Sequence, residues 1–165
     1  MPTDQVVRAE TARPWTFTPI GVVRSTFRYV HDAPRQPRPG ARATIELAPG
    51  MQNCARDLQG FERIWVLFVF SFARGWKPTV RPPRDAQRRG VLATRAPHRP
   101  NPIGLSCVRL HEVVGCTLHI SEHDLLDRTP VLDLKPYIPY CDAHPEAAAG
   151  WTSNLDPHAA DHRWE

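Results

Sequence analysis

The sequence predicts an all-β fold: a small closed or partly open β-barrel of about seven short strands, with long loops rich in proline and arginine and little helix. The 165 residues include 18 prolines, and a proline inside a helix removes a hydrogen-bond donor and clashes with the preceding turn. The apolar runs between the prolines are short and rich in β-branched and aromatic residues, which is typical of small barrels and sandwiches. No alternation of strands and helices is present, which argues against a dinucleotide-binding α/β domain.

The first half of the chain contains three predicted strands separated by loops. Residues 18–24 (TPIGVVR) predict the first strand, and the alternating run at residues 42–47 (RATIEL) predicts the second. Residues 31–40 (HDAPRQPRPG) hold three prolines and are expected to form an extended, partly stiffened loop. Residues 53–58 have the length of one or two helical turns. Residues 64–72 (IWVLFVFSF) are the strongest core signal and are typical of a strand buried on both faces.

The second half is predicted to hold a short strand, a hairpin, a last strand and a weak helix. The hairpin is joined around Gly115, and the loop before it, RAPHRPNPIG, has three prolines in ten residues. In chain order the predicted elements are a basic loop at residues 75–90, a strand at 91–94, the proline loop at 95–104, hairpin strands at 105–114 and 116–122, a strand at 131–134 and a helix at 144–149.

The positive charge is concentrated in one segment. The formal net charge is +4, and 19 of the 21 basic residues are arginines. Residues 74–99 hold eight basic residues and one acidic residue, whereas residues 142–165 hold five acidic residues and one arginine. Guanidinium groups bind phosphate oxygens in a forked geometry, so a polyanionic partner is one interpretation of the basic segment. A solvated arginine-rich loop is the other. The candidate phosphate contacts are Arg81, Arg84, Arg88 and Arg89.

Several classes of function lack their usual sequence signals. Motifs typical of lipases, P-loop NTPases, dinucleotide-binding domains and zinc proteases are absent. The four cysteines form no CxxC pair and the histidines are scattered, so no metal site is expected. There is no apolar signal segment and no apolar run approaching roughly 20 residues. Together with free thiols, this predicts a soluble, cytoplasmic protein without membrane contact.

Four separate segments, in order, resemble one known family. They are IGVVRS at residues 20–25, LQGFERIWVLFVF at 58–70, ATRAPHRPNPIGLS at 93–106 and DLLDRTPVLDLKPYIPY at 124–140. These motifs are similar to those of the TsaA-like family, also called TrmO, over about residues 18–142. The expected domain is therefore residues 18–142, with an N-terminal extension at 1–17 and a polar tail at 143–165.

The resemblance implies a β-barrel methyltransferase of class VIII that binds S-adenosylmethionine, forms a homodimer and acts on tRNA. The implied target is the exocyclic amine of the threonylcarbamoylated adenosine just 3′ of the anticodon. The chain is also expected to lack the additional C-terminal domain of longer bacterial relatives.

The resemblance also implies where the cofactor contacts lie. Aspartates can accept hydrogen bonds from the ribose or the ammonium group of S-adenosylmethionine, arginines can pair with its carboxylate, and apolar side chains can cover its adenine. By position, the implied contacts are Pro34, Arg35, Gln36, Ser71, Phe72, Arg95, Leu105, Asp124, Leu125, Leu126 and Asp127. Without the family, the two aspartates would instead be interpreted as turn or cap residues.

Two positions depart from the family pattern. Ser71 and Phe72 stand where many relatives have a polar pair, so the contact there is expected to come from backbone or packing. Arg128 replaces the glycine of the family's DLxDGTP motif. If that glycine has a positive φ, arginine strains the turn. Alternatively, Arg128 adds a cation beside the pocket and changes the substrate.

Asn101, which precedes Pro102 in the proline loop, is the candidate catalytic residue. A sulfonium methyl is already activated, so catalysis is mainly in-line positioning. The adenine amine is a weak nucleophile that must be oriented by hydrogen-bond acceptors. The side chain and a backbone carbonyl at Asn101 can supply them, by analogy with the Asn-Pro element of DNA amine methyltransferases. The alternative is an ordinary turn asparagine before proline.

The sequence therefore leads to a tRNA adenine methyltransferase, with two alternatives. One is an accessory or regulatory domain that binds S-adenosylmethionine without transferring its methyl group. The other is a cofactor-free nucleic-acid-binding barrel in which the arginine loop makes every contact. A homodimer would also cover two aromatic residues of the tail, Trp151 and Trp164.

Overall fold

The computed structural model describes residues 14–37 and 39–155, and most of the regular structure is β-strand. The helical segments are short: α1 (Gln52–Ala55), α2 (Pro139–Asp142) and 3₁₀ turns at Arg56–Leu58, Val91–Ala93 and Gly150–Asn154. The strands are β1 (Gly21–Ser25), β2 (Arg42–Leu47), β3 (Arg63–Val69), β4 (Thr79–Val80), β5 (Arg89–Gly90), β6 (Ile103–Val114), β7 (Thr117–Ser121) and β8 (Pro130–Pro136). The prediction of an all-β fold with little helix is confirmed.

Six of the strands close into an antiparallel barrel. Their order is β1-β2-β7-β6-β3-β8, and β8 pairs back with β1, where Gly21 lies opposite Val131. β4 and β5 pair with each other as a separate hairpin inside the β3–β6 connection. Closure leaves the barrel without an open edge, and this removes the unpaired backbone groups that edge strands expose.

The barrel interior is a core of β-branched and leucine side chains. Ile45, Ile64, Val66, Val108 and Leu118 have no exposed surface. These residues occupy alternate positions of their strands, because successive side chains of a strand point to opposite faces. Burial of each such side chain stabilises the fold by about 1.5–3 kcal/mol.

β3 is not buried on both faces, so that prediction was wrong. Its residues alternate between half-buried and buried from Arg63 to Val69. The outward face has only partial cover: the Trp65 ring lies 5.7 Å from the Tyr137 ring, and its indole N–H donates to Asp142 at 3.1 Å. The outer face of a barrel strand meets loops rather than a layer of helices, so apolar residues there stay partly exposed.

Two further predicted elements were wrong. Residues 91–94 form a 3₁₀ turn, not a strand, because the N–H and the hydroxyl of Thr94 both donate to the Val91 carbonyl. Residues 144–149 form a single turn instead of a helix, closed by the Ala147 N–H donating to the His144 carbonyl at 3.0 Å. The basic loop, conversely, contains the β4–β5 hairpin that its composition did not reveal. The other predicted strands are confirmed: β2 has the predicted ends, and β1, β6, β7 and β8 have shifted ends.

The strand directions place three long connections at one end of the barrel. Because neighbouring strands are antiparallel, successive connections alternate between the two ends. The β1–β2, β3–β6 and β7–β8 connections, residues 26–41, 70–102 and 122–129, therefore meet at one end, called here the loop end. The connections at residues 48–62 and 115–116 lie at the other end, as does α2. Every implied cofactor contact belongs to the loop end, and Leu105 stands at the start of β6.

Parts of the predicted extension and tail lie outside the described residues. These are residues 1–13 and residues 156–165, which include Trp164. Arg38, in the loop at residues 31–40, also lies outside the described residues. Between residues 14 and 155, Arg38 aside, no helix has the length and apolar character needed to cross a membrane.

Replacing Gly104 by alanine tests the fit between β3 and β6. Gly104 lies opposite Phe68, and a methyl group there would overlap the Phe68 ring. That ring is buried and packs edge-on against Phe70, so it has little room to move. We expect Gly104→Ala to lower the free energy of unfolding in urea by about 1–3 kcal/mol.

The matched control is Gly90→Ala. Gly90 has a φ of −56°, and no atom lies within 4 Å of the position its Cβ would take. This variant should be as stable as the wild-type protein or slightly more stable. An equal change in both variants would show that contact with Phe68 is not what excludes a side chain at Gly104.

Candidate functional site

A depression of about 440 Å³ opens at the loop end of the barrel. It is lined by Arg28, Ser71, Phe72, Asp127 and Arg128. These residues come from all three loop-end connections, and three of them, Ser71, Phe72 and Asp127, are among the implied cofactor contacts. Phe72 is 61% exposed, so its ring is accessible to a ligand. The fold thus brings together side chains that are distant in the chain.

Asp127 is held by hydrogen bonds to β1 and to the residues after it. Its carboxylate accepts from the Ser25 N–H at 3.1 Å, and its own N–H donates to the Phe27 carbonyl at 2.7 Å. The next N–H, that of Arg128, donates to the Val23 carbonyl at 2.8 Å. The second carboxylate oxygen lies 4.0 Å from the Arg128 guanidinium. This oxygen remains open to a ligand on a backbone that the barrel fixes.

Asp124 carries the second carboxylate of the site. Its Oδ1 accepts from the Ser106 hydroxyl at 2.6 Å. Burial raises the pKa of Asp124 above its ordinary value, while the Ser106 hydrogen bond and the charge of Arg95 oppose that rise. A partly desolvated carboxylate of this kind gains from an additional cation nearby.

His123 supports the same connection from inside the barrel. Its ring is buried and lies 5.1 Å from the Phe27 ring. Nδ1 accepts from the Leu125 N–H at 3.2 Å. Burial lowers the pKa of His123, so the ring is neutral at neutral pH. Asp124 and Asp127 therefore flank a segment whose backbone is anchored in the core.

The β1–β2 and β3–β6 connections meet through Gln36 and Arg95. Arg95 Nη1 donates to Gln36 Oε1 at 3.4 Å. Because Arg95 also interacts with Asp124, these three implied contacts form one polar group. They lie on three separate connections, so only the closed barrel places them together.

The remaining implied contacts differ in accessibility. Leu105 is 52% exposed, and Arg35 is also exposed. Pro34 and Leu126 are half-buried. Leu125 faces the core and is 1% exposed, so only its backbone can reach a ligand.

Asn101 offers its side chain but not a free backbone carbonyl. The Asn101 carbonyl accepts from the Ile103 N–H at 2.7 Å, and the Pro102 carbonyl accepts from the Phe70 N–H at 2.8 Å. The Asn101 side chain is exposed and has no hydrogen-bond partner among the described residues. Any acceptor role at this position therefore falls on the side-chain amide.

The arginines of the basic loop make specific contacts within the loop. Arg81 donates to the Ala86 carbonyl at 3.2 Å. Arg88 donates to both the hydroxyl and the carbonyl of Thr79, at 3.0 and 2.6 Å. Arg84 is half-buried, whereas Arg81 and Arg88 are exposed. These bonds fix the β4–β5 hairpin and leave other guanidinium N–H groups facing solvent.

Arg89 links this hairpin to the tail. It pairs with Asp85 at 2.6 Å, and its guanidinium lies 5.3 Å from the ring centroid of Trp151. The Trp151 indole N–H donates to the Ala93 carbonyl at 2.8 Å. Trp151 therefore packs on its own chain, and a dimer partner is not needed to explain it.

Comparison with known proteins identifies the barrel. A sequence profile of the tRNA-methyltransferase O N-terminal domain, TrmO_N, matches residues 22–143. The chain belongs to this family.

Individual relatives agree with the family match. A tRNA (adenine(37)-N6)-methyltransferase of Escherichia coli is 44% identical over 150 residues, covering 84% of this chain and 64% of the relative. A Pseudomonas aeruginosa protein, provisionally named an S-adenosylmethionine-dependent methyltransferase, is 49% identical over 142 residues, covering 81% and 61%. The crystal structure of TrmO from P. aeruginosa matches with a TM-score of 0.75 at 41% identity, covering 88% and 66%. The chain thus spans less than two thirds of these relatives.

Arg128 has a left-handed backbone conformation, which glycine adopts at no steric cost. Its φ is 61°, in the left-handed region that costs a non-glycine residue about 1–2 kcal/mol. The expectation of a strained turn is confirmed. The side chain is 83% exposed and lines the depression with Arg28, so the position also adds a cation beside the site.

Sequence reasoning missed four residues of this TrmO_N site. Ser106 had a detectable signal, since it is a buried polar residue in the otherwise apolar first half of β6. His123 had none, because its neighbours Glu122 and Asp124 are themselves polar. Ser25 and Arg28 had none: one contributes a backbone N–H and the other lies in an irregular connection.

Two variants of Arg128 separate backbone strain from charge. We expect Arg128→Gly to raise the free energy of unfolding by about 1 kcal/mol, because glycine adopts this φ without a Cβ clash. Arg128→Ala removes the same charge but keeps the Cβ, so it should be no more stable than the wild-type protein. Urea unfolding of the three proteins is the measurement. Equal stabilisation of both variants would assign the effect to charge instead.

Proposed function

We propose that this chain binds S-adenosylmethionine at the loop end and transfers its methyl group to an adenosine of tRNA. The acceptor would be the exocyclic amine of the threonylcarbamoylated adenosine 3′ of the anticodon. The observation that carries the proposal is the convergence of two carboxylates, Asp124 and Asp127, with Arg95 and the exposed ring of Phe72 at one barrel end. The name of the E. coli relative, tRNA (adenine(37)-N6)-methyltransferase, supports it. Residues 18–142 would form the functional unit.

The donor groups of the site fit this cofactor. Asp127 has one carboxylate oxygen free of backbone bonds, and the raised pKa of Asp124 reflects a carboxylate that a cation would stabilise. Arg95 and Arg28 can pair with the carboxylate of the amino-acid end. Phe72 and Leu105 present exposed apolar surface for an adenine ring. The set therefore matches the sulfonium and ammonium charges, the carboxylate and the base of the ligand.

In this reaction the chain has to position the amine, and it does not have to supply a strong base. S-adenosylmethionine, when bound, supplies a methyl group on a sulfonium leaving group. The chain would have to hold the amine nitrogen in line with that methyl group and leave a path by which the methylated nitrogen could lose one proton to solvent. The side chain of Asn101 is the acceptor that we assign to hold the amine in line, because its oxygen is exposed and its backbone is fixed.

The arginine hairpin is the surface we assign to the RNA backbone. Arg81, Arg84, Arg88 and Arg89 belong to it, and the exposed Arg81 and Arg88 are already oriented by bonds within the loop. Contacts of this kind place the RNA without reading its bases. A plot of the logarithm of the tRNA dissociation constant against the logarithm of the salt concentration should therefore have a smaller slope when one of these arginines is removed.

We also place the protein in the cytoplasm, where its tRNA substrate is found. All four cysteines are free, and Cys54 and Cys141 are exposed. Exposed thiols of this kind fit a reducing compartment. Cell fractionation with an antibody against the chain would test the location.

The activity is tested with methyl-labelled S-adenosylmethionine and tRNA with or without the threonylcarbamoyl group. We expect a methylated adenosine in the nucleoside digest of modified tRNA, detected by mass spectrometry. Asp127→Asn keeps an acceptor for the Ser25 N–H but removes the charge, so the cofactor should bind about tenfold more weakly. Cofactor binding without any methylated nucleoside would favour an accessory domain, and absence of cofactor binding would favour a cofactor-free barrel.

Binding of S-adenosylmethionine should also depend on pH, through the ionisation of Asp124. Its pKa lies above the ordinary 3.8, and a cationic ligand favours the ionised form, so binding is coupled to loss of a proton. Affinity should rise with pH through the pKa of Asp124 and level off above it, as measured by calorimetry from about pH 5 to about pH 8. Asp124→Asn should bind weakly throughout. Asp133, which is half-buried and pairs with Lys135, supplies the control Asp133→Asn, and an identical profile in all three proteins would remove Asp124 from the contacts.

We further propose that two copies of the chain pair through an apolar outer face beside the site. On this face Leu67 lies opposite Leu105, and Val69 lies opposite Ile103. Ile103 and Leu105 are exposed, and contiguous apolar surface on a barrel exterior marks an interaction site. Pairing there would bring two loop ends close together.

Sedimentation analysis tests the dimer. Ile103→Glu should yield a monomer, since a charge at the centre of this face is costly to bury. Val114→Glu is the control, because Val114 is also exposed but lies at the far end of β6; this variant should remain dimeric. A wild-type monomer at micromolar concentration would contradict the proposal.

A further inference from the structure

Two stacked rings stand exposed in the β1–β2 connection. The ring centroids of Tyr29 and His31 are 5.4 Å apart, and the ring planes lie within 3° of parallel. Tyr29 is 64% exposed, and the His31 side chain is 81% exposed. Each ring therefore covers part of its neighbour and leaves most of its own surface open to solvent.

Asp32 holds this pair in place. Its Oδ2 accepts from the N–H groups of Arg28 and Tyr29, at 3.2 and 2.9 Å. Its Oδ1 lies 3.4 Å from Nε2 of His31, and its own N–H donates to the Tyr29 carbonyl at 2.9 Å. The backbone under both rings is thus fixed by a turn, so the stack does not depend on burial in a core.

The pair adjoins the candidate site. The Phe27 carbonyl accepts from the Asp127 N–H, and Arg28 lines the depression. Tyr29 follows directly, so its Cα is about 4 Å from that of Arg28. The turn that carries the two rings therefore begins at the rim of the depression.

We propose that Tyr29 and His31 form a stacking platform for the nucleobase next to the adenosine that is methylated. The proposal rests on the proposed function, since it requires RNA at the loop end. An adenosine in a structured loop must leave its stack before its amine can enter a pocket, and this exposes a face of the neighbouring base. An aromatic platform replaces the lost stacking.

The chemistry of the rim favours a nucleotide as the occupant. The platform offers flat aromatic surface rather than an aliphatic groove, and Arg28, the residue before Tyr29, lines the adjoining depression. A nucleotide carries both a flat base and an anionic phosphate, and guanidinium groups pair with phosphate in a forked geometry. One base on the rings and one phosphate at Arg28 would account for both features.

The test measures RNA binding and catalysis in variants of Tyr29. Tyr29→Leu keeps apolar bulk but removes the aromatic face, and Tyr29→Phe keeps the face. Tyr140→Leu is the matched control, because Tyr140 is 88% exposed and lies on α2 at the opposite barrel end. The probe is an anticodon stem-loop RNA with 2-aminopurine on either side of the target adenosine, bound in the presence of S-adenosylhomocysteine.

The stacking platform predicts a specific combination of results for these variants. In Tyr29→Leu, the RNA dissociation constant and the KM for RNA should rise about tenfold, whereas kcat and the affinity for S-adenosylmethionine should stay at wild-type values. The salt dependence of RNA binding should not change, because no charge is removed, in contrast to Arg81→Ala. One 2-aminopurine should be quenched by the wild-type protein and by Tyr29→Phe but not by Tyr29→Leu, and Tyr140→Leu should match the wild type.

Three results would overturn the platform. Wild-type methylation with unchanged RNA affinity and fluorescence in Tyr29→Leu would remove the platform and leave the proposed function standing. Loss of S-adenosylmethionine affinity in Tyr29→Leu would assign the rings to the cofactor instead. A wild-type protein that neither binds the stem-loop nor methylates tRNA would overturn the proposed function, and the platform with it.

Discussion

The candidate site depends on the closure of the barrel between β1 and β8. Hydrogen bonding does not stop at Pro130: the Thr129 carbonyl accepts from the Val23 N–H, and the Arg128 N–H donates back to the Val23 carbonyl. The Asp127 N–H then bonds to Phe27. The bonds that close the barrel therefore also fix the backbone of Asp127. A carboxylate on such an extension has less freedom than one on an independent loop, so the fold, and not the ligand, provides the ordering that binding requires.

The connection between β7 and β8 is kept in a conformation that is unfavourable in isolation. Glu122 and Arg128, near its two ends, have φ values of 56° and 61°, and each costs about 1–2 kcal/mol in a non-glycine residue. Glu122 is held there by its ion pair with Arg63 on β3, and Arg109 on β6 approaches it at 3.8 Å. The partly buried carboxylate of Asp124 lies between them. Strain and desolvated charge of this kind persist where the surrounding structure enforces them, and they concentrate at binding sites.

Sequence patterns predicted the elements whose structure is decided locally. The alternating RATIEL run became β2 residue for residue, and the hairpin formed around Gly115. The elements that failed depend on specific contacts: the hydroxyl of Thr94 closes a turn where composition favoured a strand. The family motifs implied contacts that the fold gathers at one barrel end, but they could not show that Leu125 points into the core. The meeting of Gln36, Arg95 and Asp124 requires three connections to converge, and no local pattern contains that information.

Arginine serves the loops as a structural residue as well as a charge. The β3–β6 connection covers residues 70–102 and has only the β4–β5 hairpin as regular sheet, so few of its carbonyls have strand partners. Arginine side chains satisfy many of them: Arg74 bonds to the carbonyls of Ser71 and Ala73, Arg81 to Ala86, Arg88 to Thr79, and Arg99 to Thr94 and Ala96. A planar guanidinium can bond to two carbonyls at once in a fixed geometry, which the point charge of lysine does not impose. This fits the composition of the connection, in which seven arginines stand beside a single lysine, Lys77. Each guanidinium has five N–H donors, so the residues that build the connection still present charge to solvent. An RNA backbone would meet cations that are already held in place, and less side-chain entropy would be lost on binding.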